Sequence, residues 1–193
     1  MSPIVAADAA GVARAVALLR QGEVVAFPTE SSYGLAVDAL DARALERLFA
    51  VKGRPTGQPP PVVILGEAML DRLVAQIPEV ARQLAARHWP GGLTLALPAR
   101  ADLPAFLVAD GHVGVRESPH PVVRALVEAF GGPLTATSAN LSGEPPALRA
   151  SDASLEGVAL VLEAPVGGAP ASTVARIRLD GTIEVLRQGA VVL

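Results

Sequence analysis

Glu23-Val24-Val25-Ala26-Phe27-Pro28-Thr29-Glu30-Ser31-Ser32-Tyr33-Gly34-Leu35 is the stretch that decides the fold class. Its first five residues read as a short buried strand, which Pro28 stops. Small hydroxyls follow at the point where the chain leaves the sheet. Helical patterns flank the stretch on both sides. Asp8 can cap a helix that carries Val12, Val16 and Leu19 on one face and ends near Gly22. Asp41 can cap a second helix, with Leu45, Leu48 and Phe49 turned inward. A strand between two helices points to an α/β sheet with helical cover.

The alternation continues. Val62 to Leu65 is a strand-like run after a proline block. Leu70, Leu73, Val74 and Ile77 have the i, i+3, i+4, i+7 spacing of an amphipathic helix. Pro78 starts a further helix to about His88. Trp89-Pro90-Gly91-Gly92 breaks it ahead of a strand from Leu93 to Leu97, and Val113 to Val115 predicts another. A helix with Val123, Leu126, Val127 and Phe130 along it begins near Pro121 and ends at Gly131-Gly132. Leu134 to Ala136, Val158 to Leu162, Ser172 to Leu179 and Thr182 to Leu186 read as strands. Asp180-Gly181 joins the last two as a hairpin, which makes the sheet mixed. Ala164 to Pro170 is a loop rather than a boundary. No repeat or long linker divides the 193 residues, so one domain over 1–193 is expected.

Hydrophobic residues make up 51% of the chain and charged residues 18%, which argues for a well-buried core. Aromatics are only 3%, so aliphatic side chains fill that core and a base-stacking surface is disfavoured. The net charge of -3 is unlike that of a dedicated nucleic-acid binder, although a local basic cleft is compatible with it. The absence of cysteine excludes disulfides, thiolate metal sites and cysteine nucleophiles. None of the three histidines has metal-ligand spacing with another, so no protein metal site is expected. His88 reads as a helix-end residue and His120 as a helix-start residue. No apolar run spans a bilayer and no signal segment is visible, so a cytoplasmic protein is expected.

Polar clusters mark where chemistry can occur. Pro28-Thr29-Glu30-Ser31-Ser32-Tyr33-Gly34-Leu35 follows a strand, where α/β folds collect ligands, though ordinary polar turns look the same. Lys52-Gly53-Arg54-Pro55 is the second cluster. Of sixteen Lys and Arg residues only Lys52 is lysine, a position where a compact ammonium can serve better than a planar fork. The two cations can converge on a polyanion such as a triphosphate, or simply be solvated charges after a helix end. Thr135-Ala136-Thr137-Ser138-Ala139-Asn140-Leu141-Ser142-Gly143 is the third. Its small side chains let backbone amides approach an anion, as in a phosphate nest. Neither standard glycine-rich nucleotide motif is present.

Taken in order, the clusters resemble the YrdC/TsaC family, the threonylcarbamoyl-AMP synthases of tRNA modification. The motifs are Pro28 to Leu35, Lys52-Gly53-Arg54-Pro55, His88-Trp89-Pro90-Gly91-Gly92-Leu93-Thr94, Val113 to Pro121, Thr137 to Gly143 and Leu186-Arg187-Gln188-Gly189. The resemblance runs from about Gly22 to Gly189. It implies a twisted mixed α/β fold with helices on its faces and a concave, positively lined cleft. It implies a nucleotidyltransferase that converts L-threonine, bicarbonate (or CO2) and ATP, with Mg2+, to L-threonylcarbamoyl-AMP and pyrophosphate. Separate tRNA-modifying proteins then use the product. Lys52 and Arg54 would hold the phosphates, Ser138 and Asn140 would meet phosphate and nucleotide, and Thr94 would face the nucleotide. Arg116 would take the threonine carboxylate, and Thr29, Ser32 and Tyr33 would line the threonine end. Ser172 and Arg187 would close the site.

The chain departs from the family pattern in three places. Gln58-Pro59-Pro60-Pro61 follows the cation pair where many members read Lys/Asn-Pro-Leu. Val63 stands near a position where some members place a histidine. Glu117-Ser118 replaces the commoner Val-Pro after Arg116. Two other readings compete with the synthase. One is a paralogue that binds nucleotide or RNA without using threonine. The other is a module that grips tRNA or ribosomal RNA directly.

Overall fold

The structure, a computed structural model, describes residues 2–53 and 58–193. Arg54, one half of the expected cation pair, lies outside the described residues, as do Pro55, Thr56 and Gly57. The chain opens with β1 (Ile4–Ala6), α1 (Ala9–Leu19), β2 (Val24–Pro28), β3 (Tyr33–Ala36) and α2 (Ala42–Lys52). Next come β4 (Val62–Val63), α3 (Glu67–Leu70), α4 (Glu79–His88), β5 (Leu93–Pro98) and a 3₁₀ turn (Ala105–Leu107). They are followed by β6 (Val108–Ala109), β7 (His112–Arg116), α5 (Pro121–Phe130), β8 (Leu134–Thr135) and β9 (Thr137–Ser138). The last strands are β10 (Val158–Glu163), β11 (Thr173–Ile177) and β12 (Ile183–Arg187).

The fold is mixed α/β, as expected, but the strands divide between two sheets. Among the described residues, one sheet has five strands in the order β1-β10-β2-β3-β9. The other has seven, ordered β12-β11-β5-β7-β4-β8 with β6 beside β7. Both mix parallel and antiparallel pairs. β2 shows why its residues are continuously apolar. Val24 and Ala26 join one hydrophobic cluster, which includes α2 and the second sheet. Val25 and Phe27 join another, packed under α1 and α5. A strand buried on both faces needs apolar residues at every position.

The helix caps are those the sequence announces. Asp8 accepts a hydrogen bond from the Gly11 amide at 2.8 Å, and Asp41 from Arg43 and Ala44 at 2.9 and 3.3 Å. His120 caps α5, accepting from the Val122 amide. The Leu70–Ile77 expectation is corrected. Only Glu67–Leu70 is helical, although Leu70, Leu73 and Val74 are buried. The end of β5 takes the backbone instead. Ala75 donates to the Pro98 carbonyl, and Arg100 donates to that of Leu73. Val62 to Leu65 also shortens, to the two residues of β4.

One short segment sews the sheets together. β8 pairs with β4 in the second sheet, and β9 pairs with β3 in the first, with Ala136 alone between them. Thr135 is fully buried at this crossing. Its hydroxyl donates to the Leu35 carbonyl at 3.3 Å and accepts from the Val37 amide at 3.0 Å. Thr135→Val keeps the shape but leaves the buried Val37 N–H without this acceptor. A loss of about 1–3 kcal/mol is expected, read as a lower urea midpoint at unchanged slope.

Candidate active site

Strands of both sheets end at one pocket of about 640 Å³, a size that suits a small-molecule ligand. From the first sheet come Thr29, Ser32 and Tyr33, with Ser138 and Asn140 beside them. α2 supplies Lys52, and the second sheet supplies Arg116, Ser172 and Arg187. Three cations thus face a pocket in which Glu30 is the one carboxylate among the described lining residues. Thr94 stands behind the wall, its hydroxyl 2.9 Å from that of Ser172.

Lys52 is only 4% exposed. Its ammonium donates to the carbonyls of Ser138 and Asn140, the latter at 3.0 Å, and to Asn140 Oδ1 at 3.2 Å. It sits in the last turn of α2, where the macrodipole favours a cation. The Ser142 amide returns to the Lys52 carbonyl at 3.0 Å. Ser138 Oγ donates to Asn140 Oδ1, and the Asn140 amide group donates to the carbonyls of Leu141 and Glu144. The serine-rich loop is therefore wrapped around the lysine. The phosphate-nest expectation is corrected here. The amides of Ala139, Asn140 and Ser142 are engaged with carbonyls, so these three do not form a nest of free amides.

The first cluster is held by its own hydroxyls. Thr29 Oγ1 donates to the Ser32 carbonyl at 2.7 Å and accepts from the amides of Ser31 and Ser32. Tyr33 is buried and donates its hydroxyl to the Ala164 carbonyl at 2.9 Å. Burial, with a further push from the Glu163 charge, raises its phenol above the ordinary range. Its hydroxyl is thus bound within the fold, although Tyr33 is among the residues that line the pocket.

Sequence reasoning gave no role to Glu30 or Ser118, both of which line the pocket. Arg116 Nη2 donates to Glu30 Oε1 and to the Gly91 carbonyl, the latter at 3.1 Å. Ser118 Oγ donates to Glu30 Oε2 at 2.6 Å. The Glu117-Ser118 departure thereby acquires a physical account. Glu117 pairs with Arg124 of α5 at 2.8 Å, and Ser118 braces the carboxylate. A serine directly behind the arginine, and a carboxylate amid the hydroxyls of the first motif, were the available signals.

On the far side, Arg187 donates from Nε and Nη2 to the Ser172 carbonyl at 3.1 and 2.8 Å. Burial lowers its pKa from the ordinary arginine value, and the Arg116 charge adds to the shift. A bound anion would relieve that repulsion. Gly189 keeps the terminal segment against Ser172, since a Cβ there would lie 2.2 Å from the Ala171 carbonyl oxygen. No group of three or more His, Cys, Asp or Glu side chains among the described residues is placed to hold a metal. No described helix is long and apolar enough to cross a membrane.

The model of the Sua5/YciO/YrdC family, described as telomere recombination, matches residues 17–189. A threonylcarbamoyl-AMP synthase of Bacillus subtilis is 44% identical over 136 residues, covering 69% of this chain and 39% of that protein. The chain thus spans well under half the length of that relative. A threonylcarbamoyl-AMP synthase of Vibrio cholerae is 37% identical over 182 residues, covering 91% of this chain and 96% of that one. The crystal structure of Pyrococcus abyssi Sua5 complexed with L-threonine superposes with a TM-score of 0.86 at 33% identity. That superposition covers 98% of this chain and 57% of the other. The chain belongs to the Sua5/YciO/YrdC family.

Proposed function

We propose that this chain makes L-threonylcarbamoyl-AMP and pyrophosphate from L-threonine, bicarbonate or CO2, and ATP. The observation that carries the reading is the meeting of Arg116 with the Lys52–Ser138–Asn140 cluster in one pocket. The first suits a carboxylate and the second suits phosphates. The names of the curated relatives agree with it.

The amine of threonine attacks CO2 and loses a proton, giving a carbamate. A carbamate oxygen then attacks the α-phosphorus as the bond to the β-phosphate oxygen breaks and pyrophosphate leaves. Both steps call for positioning and charge neutralisation rather than a covalent protein nucleophile. Lys52 and Arg54 hold the phosphates, and Ser138 and Asn140 orient phosphate and nucleotide. Thr94 acts through Ser172, while Ser172 and Arg187 close the wall and balance the leaving charge. Arg116 takes the threonine carboxylate through the guanidinium nitrogen that Glu30 and Gly91 leave open, in a charge-assisted hydrogen bond. Thr29, Ser32 and Tyr33 shape the threonine end. A single lining carboxylate is too little for a protein cage, so Mg2+ would arrive on the triphosphate and share its charge. The unit acts as one domain over residues 1–193, in the cytoplasm. It hands its product to separate tRNA-modifying proteins.

The test is pyrophosphate release from ATP and Mg2+ in bicarbonate, with L-threonine, serine, alanine or no amino acid. Threonine-selective release is expected. ATP binding without any release would assign the chain to the nucleotide-binding paralogues. Salt-sensitive RNA binding without ATP consumption would instead favour an RNA module.

A further inference from the structure

We propose that Glu30 receives the α-ammonium of the substrate, so that Glu30 and Arg116 together form a clamp for a zwitterionic α-amino acid. This rests on the proposed function and adds a residue that the motif pattern leaves without a role.

Glu30 is held in place from both ends. The Ala169 amide donates to its carbonyl at 2.8 Å, and the Gly167 amide donates to that of Thr29 at 3.1 Å. A Cβ on Gly167 would come within 2.5 Å of the Glu30 carbonyl oxygen, so the strap lies directly on the glutamate backbone. At the other end Arg116 takes Oε1 and Ser118 takes Oε2. Ser118 is itself buried and accepts from the His120 amide at 3.1 Å. A carboxylate can accept about four hydrogen bonds, so the two oxygens retain acceptor capacity.

Arg116 is equally divided. Nη2 serves Glu30 and the Gly91 carbonyl, while Nη1 has no partner among the described residues. A ligand carboxylate can therefore take Nη1 while Glu30 stays paired to Nη2. An α-amino acid carries its opposite charges one carbon apart, which matches a guanidinium and a carboxylate in direct contact.

Electrostatics explains why a carboxylate belongs there. Lys52, Arg116 and Arg187 suit an anionic ligand, and a lone carboxylate among them would repel a triphosphate. Burying an ion pair also costs desolvation that apolar side chains avoid. A ligand with a positive charge beside its carboxylate turns that repulsion into attraction.

The test is calorimetric binding of L-threonine and of 3-hydroxybutanoate, the same molecule without its amine, to wild type and to Glu30→Gln. We expect the variant to lose about 10²-fold in threonine affinity, as for a charged partner left unmet, with 3-hydroxybutanoate bound as well as before or better. Equal loss of both ligands would mean that Glu30 only props Arg116. Unchanged or tighter threonine binding would mean that it merely competes for the guanidinium. Either result overturns the clamp. Ser118→Ala, which frees Glu30 without removing its charge, guards against a misfolded Gln variant. It should weaken threonine several-fold and spare the analogue, and equal effects on the two would also sink the idea. A wild-type protein that binds no threonine at all would overturn the proposed function itself.

Discussion

Lys52→Ala is expected to cut threonine-dependent pyrophosphate release by about 10²-fold or more, the scale set by losing one preorganised donor to developing charge. Two losses combine in this variant. In the proposed reaction, the leaving pyrophosphate loses a cation. The loop that carries Ser138 and Asn140 loses the ammonium around which its carbonyls are arranged. Lys52→Arg should not restore activity, because a planar fork cannot reproduce a compact charge donating in three directions. Pyrophosphate release beside nucleotide affinity checks this. Wild-type turnover in the alanine variant would reduce Lys52 to a brace for the loop.

Arg116→Ala should raise the threonine KM by about 10²-fold while leaving ATP affinity far less affected, since its effect falls on one substrate. It should also destabilise the fold. The Arg116 and Glu30 side chains are only 10% and 17% exposed, and removing one partner strands a buried charge at a cost of about 3 kcal/mol. Adding Glu30→Gln should restore much of that stability and none of the activity. A double-mutant cycle read by urea melts and by KM separates the two effects. Equal loss of ATP and threonine affinity in Arg116→Ala would count against its role as the carboxylate grip.

The long elements were legible because their signals are local. Asp8 and Asp41 announce helices through their caps, and Val24 to Phe27 announces a strand through an unbroken apolar run. The division into two sheets was not legible. It turns on β8 and β9, two residues each, which are too short to show a period. Tyr33 to Leu35 read as the tail of a polar cluster, yet they belong to β3, which pairs with β2 and β9. Leu70 to Ile77 has helical spacing that tertiary hydrogen bonds to β5 override. In the pocket, lysine, arginine and the Ser-x-Asn loop were legible from residue type and order. Which hydroxyls point at a ligand was not, because Thr29 and Tyr33 direct theirs into the fold. Glu30 went unread because its partner Arg116 lies 86 positions away.

The burial of the single lysine has a practical consequence. Amine acylation has one side-chain target in this protein, and that target is closed off against the Ser138–Asn140 loop. Labelling at that position therefore reads out loop opening directly, with no background from other side-chain amines. Protection on adding nucleotide would give occupancy of the phosphate end alone, by intact mass and without any engineered reporter.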